Sequence, residues 1–148
     1  MPTVRRRRTI GASSQAIWDV IADPAQFPRW WPDVVRVEDA SAVAWTKVLS
    51  TPKGTSVRAD FTRLAAEEPR RIAWEQEIEE SPFERILSEN KTEVRLEPDS
   101  DASTRVELES VQHLRGYSRF GGFLFRRATK RKLEEALDGL ERAVVVES

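Results

Sequence analysis

The sequence predicts an α+β domain in which a seven-stranded antiparallel sheet packs one face against helices, in the order β-α-α-(β)6-α. Three patterns carry that prediction. A capped amphipathic helix and a Pro-broken second helix follow the first strand within residues 10–38. A long zone of period-two alternation, apolar on one side only, then runs to residue 114, as expected of antiparallel strands covered on one face. The chain closes on residues 118–145, where Leu133, Ala136, Leu137, Leu140, Ala143 and Val144 make one stripe at helical spacing. At about 1.5 Å per residue such a helix is roughly 40 Å long, enough to cross a whole sheet.

Each element has a local reason. Ser13 or Ser14 can accept a hydrogen bond from the free N–H groups of the first helical turn. Ala16, Ile17, Val20 and Ile21 give that helix a short apolar stripe, and Asp23-Pro24 ends it, because the residue before proline avoids the α region. The second helix carries Phe27, Trp30, Trp31 and Pro32. Val35 and Val37 open the strands, followed by Val43, Trp45 and Leu49, with Pro52-Lys53-Gly54 as a turn. Val57, Ala59 and Phe61 then oppose Arg58, Asp60 and Thr62, until Glu67-Glu68-Pro69 breaks the pattern. Ile72, Trp74, Gln76 and Ile78 oppose Ala73, Glu75, Glu77 and Glu79, the cleanest alternation in the chain. After Ser81-Pro82, residues 83–96 read as a strand, and Asp99-Ser100-Asp101 turns into a last strand over 104–114.

Bulk composition limits the function. With 148 residues, 39% apolar and 33% charged, the chain is expected to be one domain, 1–148, with a single core. It has no cysteine and only one histidine, His113, which removes disulfides, thiol nucleophiles and His-rich metal cages. No cofactor and no metal are expected. A net charge of −1 gives no long-range attraction to nucleic acid, so none is expected as a partner. No segment approaches the roughly 20 apolar residues that span a bilayer. The basic N-terminus lacks the apolar run of a signal peptide, and cytoplasmic residence is the expectation.

Residues 10–38 also carry a resemblance. Ala12, Ile17-Trp18, Asp23 and Trp31-Pro32, following a strand, resemble the opening of the SRPBCC superfamily, the START-like and polyketide cyclase/dehydrase proteins of helix-grip fold. Ala12-Ser13-Ser14 stands where Ala-Pro is usual, and it keeps a capping residue. The resemblance covers essentially the whole chain. It implies a sheet wrapped around the long C-terminal helix, with a cavity between them for a lipid, polyketide or other aromatic or isoprenoid ligand. It further implies that the first and last strands lie side by side, so that Arg5 and Arg7 face Glu107 and Glu109. The chain lacks a Rieske or metal signature, which excludes the ring-hydroxylase branch.

Candidate site residues follow from parity and from the resemblance. Of Trp30 and Trp31, one is expected to plug the core while its neighbour lines the cavity mouth. Trp45, Phe61 and Trp74 give aromatic surface on the inward face. By the same parity Gln76, Ser110 and Gln112 point inward, and Ser88 and Asn90 share a face with Val94 and Leu96. Polar groups on a face that should be core mark a conflict between pattern and fold, and such conflicts gather at functional sites. The competing reading is that they lie at frayed strand ends, wetted by solvent. Extending the helical stripe backwards lands on Arg126, Thr129 and Lys130, with Phe123 at the helix start; basic groups there would meet a ligand carboxylate or snorkel to solvent. Parity turns His113 outward, away from any catalytic role.

Three functions fit these residues. The first is a binder or carrier of a hydrophobic small molecule, without catalysis. The second is an aromatase/cyclase-type enzyme, which needs acid–base groups inside the pocket, and parity turns no carboxylate or histidine inward. The third is a protein-interaction module using the basic run 126–132 and the acidic strand 75–84. The expected partner is therefore a hydrophobic small molecule, and a homodimer is compatible with the sequence.

Overall fold

The computed structural model describes residues 3–116 and 119–145, with side chains for all of these except 119–121. Strand β1 (Thr3–Ile10) leads into α1 (Ser14–Ile21), a 3₁₀ turn (Pro24–Gln26) and the one-turn helix α2 (Phe27–Trp30). Strands β2 (Val34–Glu38), β3 (Ala44–Ser50), β4 (Ser56–Glu67), β5 (Arg71–Glu77), β6 (Leu87–Ser100) and β7 (Ser103–Leu114) follow, and α3 (Arg119–Val145) closes the chain. The sheet runs β1-β7-β6-β5-β4-β3-β2, with every neighbouring pair antiparallel. It is a meander to which β1 adds beside β7. The predicted element order stands.

The helical corner near the N-terminus forms for the predicted reasons. Ser13 is the cap, its Oγ accepting from Ala16 N at 3.1 Å, and Asp23 caps the 3₁₀ turn by accepting from Ala25 N at 3.1 Å. At the other end of α1, Arg63 from β4 donates to the Ala22 carbonyl at 2.7 Å and lies 5.6 Å over the Trp45 ring. A guanidinium there meets the free carbonyls and the negative end of the helix dipole. The buried stripe of α1 is Ile17, Trp18, Val20 and Ile21. Ala16 is exposed, because the stripe is rotated one residue toward Trp18.

Two strand boundaries differ from the sequence reading. In β2 the inward residue is Val34, and Val35 is 54% exposed, because the β2–β3 register shifts between Val34 and Arg36. The sixth strand begins at Leu87 rather than near residue 83. Ser81 Oγ donates to the Ile78 carbonyl and accepts from Phe83 N, and Glu84 accepts from Glu80 N, so local side-chain bonds hold residues 80–84 in turns instead of a ladder.

On the outer face, Arg5 pairs with Glu109 and Arg7 with Glu107, directly opposite in the β1–β7 register, as expected. Arg95 on β6 bridges Glu93, Glu107 and Glu109. Burial alone would raise the Glu107 carboxyl, but hydrogen bonds from Arg95 and Arg7 hold it below its usual range. Exposed pairs of this kind stabilise by roughly 0.2–1 kcal/mol each, so the ladder organises the face more than it holds the fold. The alternate residues of β1 turn to the helix: Arg8 reaches Glu134, Asp138 and Glu141 of α3.

Stability comes from the inner face. Ile10, Ile17, Ile72, Val94, Val106 and Leu108 meet Leu133, Ala136, Leu137 and Leu140 of α3, all at most 1% exposed. Here α3 also approaches α2 more closely than a side chain allows. A Cβ at Gly139 would lie 2.3 Å from the Trp30 carbonyl oxygen and 2.8 Å from its Cα. Alanine gains about 1 kcal/mol over glycine inside a free helix, but overpacking costs about 1–3 kcal/mol, and a Cβ this close to immovable backbone takes the upper part of that range, about 2–3 kcal/mol. Gly139→Ala is therefore expected to lower the unfolding free energy by about 1–2 kcal/mol in urea denaturation. An unchanged or raised midpoint would show that α2 and α3 are not in this contact.

Candidate functional site

Between the inner face of the sheet and the N-terminal half of α3 lies a cavity of about 440 Å³. Small-ligand sites fall in this size range, roughly 300–1,000 Å³. Its walls come from strands β3 to β7, the loops beside them and α3. Trp31 and Pro32 after α2 guard one side, Phe61 and Trp74 form the aromatic floor, Phe83 and Ile86 come from the β5–β6 connection with Leu87 at the start of β6, and Phe125, Thr129, Lys132 and Leu133 come from α3. A wider hollow of about 720 Å³, lined by Ser81, Pro82, Glu84, Arg85 and Arg115, is an open surface depression without a buried wall.

The cavity exists because α3 is uneven along its length. From Leu133 onward its inward side chains are buried against the sheet, whereas between Gly122 and Lys132 only Thr129 is buried. The sequence has the same gradient, with Leu and Ala in the second half and Arg, Lys and Thr in the first.

The buried polar residues of the lining are Lys47, Gln76, Thr92, Ser110 and Thr129. Asn90 donates to Gln76 Oε1 at 2.9 Å, and Thr129 donates to Gln112 Oε1 at 2.8 Å, so each pair spans two elements of the wall. Ser110 and Thr92, opposite each other in the β6–β7 register, are both buried. Gln76 Nε2 is buried and has no hydrogen-bond partner among the described residues. An unpaired buried donor costs about 1–3 kcal/mol, and this one faces the cavity.

Lys47 is the most unusual residue in the lining. It is 2% exposed, on β3, a strand paired on both sides. Its Nζ lies 4.0 Å from the centroid of Phe27, 4.5 Å from Phe61, 4.7 Å from Trp31 and 5.3 Å from Trp74. It forms no ion pair or hydrogen bond among the described residues. Burial, and then repulsion from Lys132 across the cavity, hold its amine well below the ordinary lysine value of 10.5. Aromatic faces favour the ammonium by about 2 kcal/mol, but burying an unpaired ion costs several kcal/mol, and the second effect dominates.

The predicted site residues divide. Trp31, Phe61, Trp74, Gln76, Asn90, Ser110 and Gln112 all line the cavity. The Trp pair splits: Trp30 is buried against Phe27 in the core, and Trp31 is the one at the cavity. Other expected lining residues lie elsewhere. Trp45 sits behind the wall, stacked on Phe61 at 6.4 Å, because two residues before Lys47 on β3 the inward face meets Phe27 of α2. Ser88 is exposed, since a register shift between Leu87 and Glu89 turns Leu87 inward in its place. Phe123 is 64% exposed, and Arg126 donates to the Thr3 carbonyl at 2.8 Å beside a separate cleft of about 350 Å³. Lys130 is off the lining as well, because the inward phase of α3 runs through Phe125, Thr129 and Lys132. His113 is about half exposed and pairs with Glu89, outside the cavity.

Sequence reasoning missed Lys47. The signal was present: it has the same parity as Trp45 and Leu49, which puts its side chain inside. Lys132, Phe83 and Ile86 were missed too; the last two reach the cavity from a turn, where alternation says nothing.

Comparison with known proteins agrees with this architecture. A START superfamily protein from Mycobacterium smegmatis superposes with a TM-score of 0.80 at 14% identity, over 99% of both chains. TTHA0849 from Thermus thermophilus has a TM-score of 0.76 at 22% identity over 99% of both chains. The di-domain ARO/CYC BexL from the BE-7585A biosynthetic pathway has a TM-score of 0.78 at 22% identity, over 96% of this chain and 46% of that one. At these identities the likeness is one of fold. No curated protein sequence matches the chain. Among the described residues no helix is long and apolar enough to cross a membrane. The model of the polyketide cyclase / dehydrase and lipid transport family matches residues 1–145, and the chain belongs to that family.

Proposed function

We propose that the protein binds a hydrophobic small molecule in the cavity between the sheet and α3. The observation that carries this reading is the cavity itself: aromatic walls, a few buried hydrogen-bonding groups, and one of those groups left without a partner. At roughly 30 Å³ per water-sized group, 440 Å³ has room for on the order of 15 such groups. A ligand burying about 200 Å² of apolar surface gains roughly 5 kcal/mol at about 25 cal/mol per Å², before ordering costs. Polar anchors then bring binding into the micromolar range, near 8 kcal/mol. Membership of a family that includes lipid transport supports the same reading. Catalysis on a polyketide-like substrate is the second reading, favoured by one observation, the buried base of Lys47 facing the cavity.

Burial of Lys47 is also a reason to read the cavity as functional. An amine held without a counter-ion destabilises the fold, and such costs persist where the group is used. Its pH dependence has a definite sign. The unfolded chain keeps the Lys47 proton up to the ordinary value of 10.5, and the folded chain gives it up well below that. In the window between, the unfolded state binds more protons, so stability rises with pH. The charged groups facing the same cavity are Asp33 from the loop after α2 and Lys132 from α3.

Two outcomes test these statements. An environment-sensitive dye or a fatty acid should bind saturably, and Ser110→Leu, which fills the cavity from β7, should weaken binding at least about tenfold while the fold is kept. Phe61→Asp should do the same. Equal binding by Ser110→Leu would move the ligand out of this cavity. Lys47→Met should stabilise the protein, more at about pH 6 than at about pH 9 in urea denaturation, the gap closing as pH rises. A gap independent of pH would mean that Lys47 is not buried as described.

A further inference from the structure

We propose that Lys47 is a nucleophilic amine that captures the carbonyl carbon of an apolar ketone or aldehyde held in the cavity, forming a reversible imine. The proposal rests on the cavity being a ligand site and names the chemical class of its occupant.

Position is the first argument. The Lys47 side chain leaves β3, which is paired with β2 and β4, and its Nζ lies within 5.3 Å of four ring centroids. Three of those rings, Trp31, Phe61 and Trp74, are themselves cavity walls, so the amine stands where a ligand would lie. Buried lysines in a purely structural role normally hold a carboxylate. Lys47 has none among the described residues, whereas the more exposed Lys91 pairs with Glu89.

Chemistry is the second. A lysine becomes a nucleophile toward carbonyls when it is desolvated in an apolar pocket or set beside another cation, since either keeps its lone pair free. Lys47 meets both conditions, with Lys132 of α3 as a second cation lining the same cavity. The same cavity holds a donor for the carbonyl oxygen: Gln76 Nε2, buried and unpartnered. A ligand with a carbonyl group would satisfy that donor, and a hydrocarbon would not.

The step balances without any co-reactant. The Nζ lone pair adds to the carbonyl carbon, a C–N bond forms, and the carbonyl π pair moves to oxygen, which takes one proton from the nitrogen. The resulting carbinolamine loses its hydroxyl group together with the remaining nitrogen proton. One amine and one carbonyl thus give one imine and one water, with no change in oxidation state.

The test uses the full chain, a long-chain methyl ketone such as methyl octyl ketone, and sodium cyanoborohydride near neutral pH, read by intact mass and peptide mapping. The expected result is a single adduct, heavier by the ketone less one oxygen, located on Lys47, with a rate that saturates in ketone. Lys47→Met, which keeps the side chain's length but has no amine, should give no such adduct. If that variant fails to fold, the wild-type map decides alone. Adducts scattered over exposed lysines, or none on Lys47 while ketone displaces the dye, would overturn the imine and leave the cavity reading intact. Binding of decanoic acid with proton uptake, and no ketone adduct, would also overturn it, making Lys47 a counter-ion instead. If neither dye nor ketone binds, both readings fail.

Discussion

The contact between α2 and α3 at Gly139 is the constraint on which the rest of the architecture turns. No side chain separates the Trp30 backbone from the helix there, so the C-terminal half of α3 is held down on the sheet at one place. A 27-residue helix behaves as a rod about 40 Å long. Clamped at one end by Gly139 and by the buried Leu133, Leu137 and Leu140, it carries its N-terminal half over the strands with only Thr129 buried among the described side chains. The void beneath that half is therefore a consequence of packing at the other. The same clamp fixes α2, and with it the position of Trp31 at the cavity.

Charge is sorted by the sheet. The outer face satisfies its arginines and glutamates with one another, from Arg5 and Glu109 across to Arg71 and Glu93. Inside, no such pairing exists for Lys47 among the described residues, and four aromatic rings surround its amine. A protein that handles charge by pairing on one face and leaves an amine unpaired on the other has an asymmetry that packing does not explain. The proposed carbonyl ligand would explain it.

Much of this was readable beforehand. Period-two alternation located the strands, and parity alone turned Gln76, Ser110 and Gln112 inward, since a side chain on a regular strand has only two directions. The opposition of Arg5 and Arg7 to Glu109 and Glu107 followed from strand adjacency. Errors arose where regularity fails. A register shift beside Ser88 exchanged it for Leu87, and a shift in β2 exchanged Val35 for Val34. On α3 each residue turns about 100°, so extrapolating the stripe back from Leu133 misplaced Arg126 and Lys130 while still finding Thr129. Lys47 escaped for a different reason: a lysine in an alternating strand reads as solvent-facing by type even where its parity says otherwise.

The central claim is that Lys47 holds an unpaired amine inside a ligand cavity. Carbon-13 NMR of lysine-labelled protein, with the Lys47 Cε signal assigned by its loss in Lys47→Arg, measures this most directly. The signal should titrate well below the ordinary lysine value of 10.5, and it should shift when an apolar ligand is added. An ordinary titration midpoint, indifferent to ligand, would contradict the account.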